Sequence, residues 1–152
     1  MTKPRKTLNV FISQPMRGRT DEEILKERQE IMSLLGSANP HKKTWDLHII
    51  DSFNNSRDFD PETNEKQISL HLLGESIQKL GEADFVILAR GWEYAKGCRI
   101  EFKAAVNYGI TVCPIYTTTD SISELEFVEY MLKQAMKIVN KERYSNGNKQ
   151  NT

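Results

Sequence analysis

The chain has 152 residues, and its 21 Lys plus Arg balance 21 Asp plus Glu to a formal charge of zero. That length suits one domain burying roughly two-thirds of its unfolded surface, and 38% hydrophobic against 28% charged residues is a globular, not a disordered, composition. The balanced charge argues against a nucleic-acid polymer as partner, no run reaches the ~20 apolar residues of a membrane span, and the polar start Met1 to Thr7 lacks the apolar stretch of a signal peptide.

A cytoplasmic location follows as the expectation, with Cys98 and Cys113 reduced and too few for a disulfide scaffold.

Thr7 to Ile12 is a short β-rich run. Ser13-Gln-Pro-Met-Arg-Gly18 reads as a turn, because Pro15 and Gly18 cannot continue a strand. In Thr20-Asp-Glu-Glu23 the Thr20 hydroxyl can accept from the amide three residues on while Glu23 reaches back, a capping-box pattern. Ile24, Leu25, Arg28, Ile31, Met32 and Leu35 then recur at helical spacing up to Gly36. Leu47 to Ile50 predicts a second strand. Ser52 to Gln67 is polar, contains Asp60-Pro61 and is long for a connection, which marks it as a functional loop or lid.

Ile68 to Leu80 predicts a helix weakened by Gly74, and Asp84 to Ala89 is an apolar, branched run typical of a strand buried on both faces. Cys98 to Tyr108 predicts a helix stopped by Gly109, and Ile110 to Tyr116 a fourth strand. Ser121 or Asp120 caps a last helix to about Lys141. Its apolar side is Leu125, Val128, Leu132, Ala135, Met136 and Val139, a face that normally packs on its own sheet but can serve assembly. Residues 1–144 form the expected domain, and the Asn/Gly/Lys-rich 145–152 an expected disordered tail.

The β-α-β-α-β-α-β-α order predicts a parallel sheet with helices on both faces. Ligands sit at the carboxyl ends of such strands, which here lead into Ser13–Gly18, Ser52–Gln67, Ala89–Gly97 and Thr117–Asp120. No dinucleotide or P-loop fingerprint is present, and His41, His48 and His71 lack metal-ligand spacing, so neither a metal nor a cofactor is expected. Cys98 reads as a small residue packed under its helix.

Two segments at that edge can carry chemistry. The amides of Ser13–Gly18, with the Arg17 guanidinium, can hold a phosphate or sugar hydroxyls, although the segment alone reads more simply as a tight turn with Arg17 in solvent. In Gly91-Trp-Glu-Tyr-Ala-Lys-Gly-Cys-Arg-Ile-Glu101, a loop feeds a helix whose first turn presents Glu101. The helix dipole there favours an ionised carboxylate, which suits a nucleophile, while acids in first turns are also common for stability alone. Trp92 and Tyr94 can stack on a flat ring such as a nucleobase.

Val10-Phe-Ile-Ser-Gln-Pro-Met-Arg-Gly18 with Thr20 to Ile24, then Leu73 to Ser76, Ala83-Asp84, Gly91-Trp92, Gly97-Cys98, Ile100-Glu101 and Tyr108-Gly109, resembles a family of small bacterial and phage proteins. That family, a domain of unknown function, belongs to the nucleoside 2-deoxyribosyltransferase-like superfamily, and the resemblance runs from about Leu8 to Ile115. It implies a three-layer, flavodoxin-like (Rossmannoid) α/β fold with a mainly parallel sheet, and cleavage of an N-glycosidic bond. Glu101 matches the catalytic glutamate, which attacks the anomeric carbon to form a glycosyl ester that water or another base resolves with net retention.

Arg17-Gly18 matches the place where nucleotide N-hydrolases hold a 5′-phosphate, so the resemblance favours a nucleotide over a free nucleoside. The implied binding set is Ser13, Gln14, Met16, Arg17, Gly18, Ser76, Gly91, Trp92, Tyr94 and Gly97, in a homo-oligomer whose neighbours complete each other's sites. Phe11 replaces the tyrosine that orients the glutamate, Ser76 the aspartate that contacts base or sugar, and Ala95 a phosphate-binding serine. Asp84 is retained and reads as structural, and Glu93, the nearest candidate for a general acid, reads as a solvated loop charge. Two readings stand: a nucleotide N-glycosidase or (deoxy)ribosyltransferase, or a protein that binds or degrades a nucleotide or ADP-ribose-type signal without base exchange.

Overall fold

The computed structural model describes residues 4–53, 59–116 and 120–145. Lys6–Ser13 (β1), Trp45–Ile49 (β2), Phe85–Leu88 (β3) and Thr111–Pro114 (β4) form one sheet in the order β2-β1-β3-β4, with every neighbouring pair parallel. The helices are Asp21–Ala38 (α1), Glu65–Leu80 (α2), Lys96–Asn107 (α3) and Ser121–Val139 (α4). This is a three-layer, flavodoxin-like α/β fold, as the resemblance implies.

Strand alternation sorts the sheet's two faces. Leu8, Val10 and Ile12 of β1 meet Ile31 and Leu35 of α1 and Val128, Leu132 and Met136 of α4 in one core. Phe11 joins Val86 and Leu88 in the other, under Leu80 of α2 and Cys98 and Ala105 of α3. All four side chains of β3 are buried, because this central strand is covered on both faces.

The caps are local. Thr20 accepts from the Glu23 amide at 3.1 Å, the Thr20 half of the predicted box. Asp120, rather than Ser121, caps α4 by accepting from the Ser123 amide at 2.9 Å. Asn64 and Gln67 make a complete capping box that starts α2 at Glu65, earlier than the expected Ile68. Part of the expected 52–67 loop is therefore helix, while residues 54–58 and 117–119 and the tail beyond Ser145 lie outside the described residues.

Helix α1 runs past Gly36 to Ala38, and α4 passes after Val139 into a π-helical turn, Asn140–Tyr144. That turn straps the sheet's amino-terminal edge. The Thr7 amide donates to the Tyr144 hydroxyl at 3.0 Å, and Arg143 donates to the Thr7 carbonyl at 3.1 Å and to Asp84 at 2.7 Å. Asp84 also accepts from the Asn9 amide at 2.8 Å, which bears out its structural reading. Among the described residues no helix is long and apolar enough to cross a membrane.

Candidate functional site

β1 lies between β2 and β3, and the chain leaves β1 into α1 on one face of the sheet and β3 into α3 on the other, so the carboxyl ends of β1 and β3 form the topological switch point. Ser13 stands there, as the last residue of β1, paired in register with Leu88. The strand extends one residue further than the sequence predicts. Alternation therefore turns the Ser13 side chain to the same face as Phe11, toward α2 and α3.

Glu101 shares the buried stripe of α3 with Cys98 and Ala105, and only 6% of it is exposed. The Ser13 hydroxyl donates to Glu101 Oε1 at 2.8 Å, and the Ser76 hydroxyl of α2 donates to Oε2. Both carboxyl oxygens are thus held by neutral donors from two different elements. Burial pushes the Glu101 carboxyl above its ordinary range, while the Ser76 and Ser13 hydroxyls pull the other way without cancelling it.

Two features differ from the sequence expectation. α3 starts at Lys96, so Glu101 falls in its second turn and not its first. The helix dipole fades beyond the first turn, and burial, with the opposite sign, governs the carboxyl instead.

Gln14 does not join the site. Its neighbour Ser13 faces α3, so Gln14 faces α1, and its amide donates to the Ile24 carbonyl and to Glu27, each at 3.0 Å. Its oxygen accepts from Arg28 at 3.1 Å. Arg28, which the helical pattern places among apolar residues, is itself buried and also donates to the Ile50 carbonyl and the Ser52 hydroxyl. The Gln14–Arg28 pair sutures the β1–α1 loop to the end of β2.

Trp92 is not a free stacking platform. It sits in a 3-10 turn, Trp92–Tyr94, buried against Phe102 and Tyr116 with ring centroids 4.9 and 5.9 Å away. Its indole nitrogen and Glu93 Oε1 are buried without a hydrogen-bond partner among the described residues, so Glu93 is not simply a solvated charge. Tyr94 is 84% exposed, and Met16 is also exposed.

Arg17 stays in solvent, paired at 3.1 Å with Glu65 at the start of α2, an exposed contact of small energetic weight. Gly18 and Gly91 both have φ in the left-handed region, +77° and +88°, where a side chain is strained. A Cβ at Gly91 would stand 3.7 Å from Pro15, so the β1–α1 and β3–α3 loops touch. Gly97 packs close to Leu73, which brings the start of α3 against α2 below Ser76.

Burial pushes the Cys98 thiol up to about 12, with Ser13 hydrogen bonding opposing it and the Glu101 and Glu27 charges adding to it. A thiol so held is inert at neutral pH, in line with a packing role. Among the described residues no cluster of His, Cys, Asp and Glu could hold a metal ion.

Fold and site together define a flavodoxin-like α/β protein with a buried, hydroxyl-clamped carboxyl at its switch point. No family model matches the chain, and no curated protein matches it. Among solved structures it is similar to a conserved protein from Enterococcus faecalis V583, at 16% identity over 84% of this chain and 87% of that one, with a TM-score of 0.49.

Proposed function

We propose that the protein cleaves, or transfers across, the N-glycosidic bond of a nucleoside- or nucleotide-type substrate, with Glu101 as the nucleophile. The observation that carries this reading is the Glu101 carboxyl itself, buried at the switch point with one oxygen on Ser13 and the other on Ser76. The switch point is where open α/β sheets bind ligands, and a buried carboxyl displaced from its ordinary ionisation at that position is a functional candidate on physical grounds.

In the reaction, a Glu101 oxygen forms a bond to the anomeric carbon as the bond to the base breaks. Water or an acceptor base then displaces the ester, and the two inversions give net retention. Ser13 supplies the hydroxyl that Phe11 lacks, from the same face of the same strand. A 5′-phosphate would draw Arg17 away from Glu65, an exchange that a weak surface pair permits.

A second reading is a binding protein, favoured by the small exposure of Glu101 and by the engagement of both its oxygens. Incubation with a mixed pool of nucleosides, nucleotides and dinucleotides, followed by mass spectrometry, separates the two. Free or exchanged base that disappears in folded Glu101→Gln, with a rate loss of about 10⁴-fold, supports the enzyme. Intact ligand recovered from denatured protein supports the binder, and undiminished turnover in Glu101→Gln removes the nucleophile.

A further inference from the structure

The sheet ends in two edges, β2 and β4, and the ladder bonds fix which backbone groups each edge turns outward. The Lys6 amide donates to the Thr44 carbonyl at 2.8 Å and the Ile50 amide to the Val10 carbonyl at 2.9 Å, with Leu8 in register with Leu47. In a parallel ladder bonded in that phase, Asp46 and His48 bond inward to β1. Trp45, Leu47 and Ile49 then point their N–H and C=O groups away from the sheet.

Trp45 is already satisfied. Its amide donates to the His41 carbonyl at 2.9 Å, and its carbonyl accepts from Arg5 at 3.1 Å and from Asn39 at 3.2 Å. The outward groups of Leu47 and Ile49 have no such partner among the described residues, which leaves two donors and two acceptors in a row. The other edge differs. There the Ile115 amide donates to the Leu88 carbonyl, which turns Val112 and Pro114 outward, and Pro114 has no N–H to offer. β2 is the edge that can take a further strand.

A second copy of this chain fits it. With two β2 strands antiparallel about a two-fold axis at His48, Leu47 of each copy pairs with Ile49 of the other, and the outward groups close four hydrogen bonds. An axis at Leu47 would instead set Ile49 against the occupied Trp45. The register at His48 also sets Asp51 opposite Trp45 of the second copy. Arg5 is anchored there by the Lys42 and Lys43 carbonyls, each at 2.6 Å, so exposed Asp51 meets exposed Arg5, Lys42 and Lys43.

The apolar surface agrees. Such an axis keeps the faces of the sheet, so Leu47 and Ile49 of both copies fall on the α1 face, beside a groove of about 310 Å³ that Met32, Leu35 and Gly36 of α1 also line. Met32 is 44% exposed, and Leu25, seven residues earlier on the same stripe of α1, is 42% exposed. We propose that two copies of this chain pair along their β2 edges into one continuous sheet, because the outward backbone groups of Leu47 and Ile49 are self-complementary about His48 and the two ends of the edge carry opposite charge. The pairing does not rest on the nucleophile reading, since Glu101 belongs to α3 on the other face of the sheet.

Sedimentation velocity from about 1 µM to 1 mM, the range of a small and weakly held interface, is expected to show the mass doubling with concentration. Amide hydrogen exchange read by NMR at both ends of that range locates the contact. The Leu47 and Ile49 amides are expected to slow at least about 3-fold in the dimer, and the Val112 amide of the other edge not at all. Leu47→Pro removes an outward donor without touching the β1 ladder and is expected to weaken association about 10–100-fold. His48→Glu, an exposed change on the face away from α1, sets two carboxylates across the axis and is expected to weaken it about 5-fold, whether or not Leu47→Pro folds. A monomer throughout the range, a dimer whose Leu47 and Ile49 amides exchange as in the monomer, or association unchanged by His48→Glu would overturn the proposal. Protection of these amides in the monomer would overturn it too, because the chain itself would then cover the edge.

Discussion

Ser13 and Glu101, 88 residues apart in the chain, share a buried hydrogen bond of 2.8 Å that joins the end of the central β1 strand to the second turn of α3. Ser76 completes the clamp from α2. A buried carboxyl without such donors would cost several kcal/mol, so the two serines stabilise the anion that chemistry at this site requires.

Ser13→Ala and Ser76→Ala each remove a donor to the anion. Each is expected to lower kcat about 10–100-fold, the scale of a hydrogen bond to a charged group. Each also moves the acid limb of the pH–rate profile to higher pH, since the hydroxyls hold the Glu101 carboxyl down against burial. A fall in kcat with an unmoved acid limb would show that the serines do not act through Glu101.

Glu101→Gln is expected to change how stability depends on pH. The folded-state carboxyl is raised above its ordinary 4.5 by burial, so it binds its proton more tightly folded than unfolded. That contribution is fully present below the unfolded value and is lost as pH rises through the folded one. The amide has no such loss, so Tm of the variant relative to the parent should climb from acidic to neutral pH. A constant difference across that range would contradict the assignment.

Arg28→Met leaves the Gln14 oxygen and the Ile50 carbonyl without their donor in a buried place. The expected cost is about 2–4 kcal/mol by urea unfolding, with Arg28→Lys recovering only part of it, because one ammonium cannot span the guanidinium's three acceptors.

Trp92→Ala is expected to destabilise the protein by about 3–5 kcal/mol, the scale of truncating a buried aromatic. Trp92→Phe, which keeps packing on Phe102 and Tyr116, should leave KM for the substrate unchanged. A rise in KM with unchanged stability would return Trp92 to the role of ligand platform.

The elements of the fold were legible in the sequence because helix periodicity, strand alternation and caps depend on residues only a few positions apart. Thr20 and Asp120 cap where the pattern places them, and Phe85–Leu88 is buried on both faces as its composition predicts. Part of the site also left a trace. Ser76 and Glu101 interrupt apolar stripes, Leu73-Ser76-Leu80 on α2 and Cys98-Glu101-Ala105 on α3. What faces those polar residues has no local signature, because the partners come from separate elements brought together by sheet order.

Tertiary structure alone decided the rest. It turned Ser13 and Gln14 to opposite faces once β1 ran one residue further, and it buried Trp92 between side chains from α3 and from beyond β4. It also reversed the electrostatics of Glu101. The sequence suggested a helix terminus that keeps the carboxylate ionised, whereas the packed layers withdraw it from water and make desolvation the dominant influence.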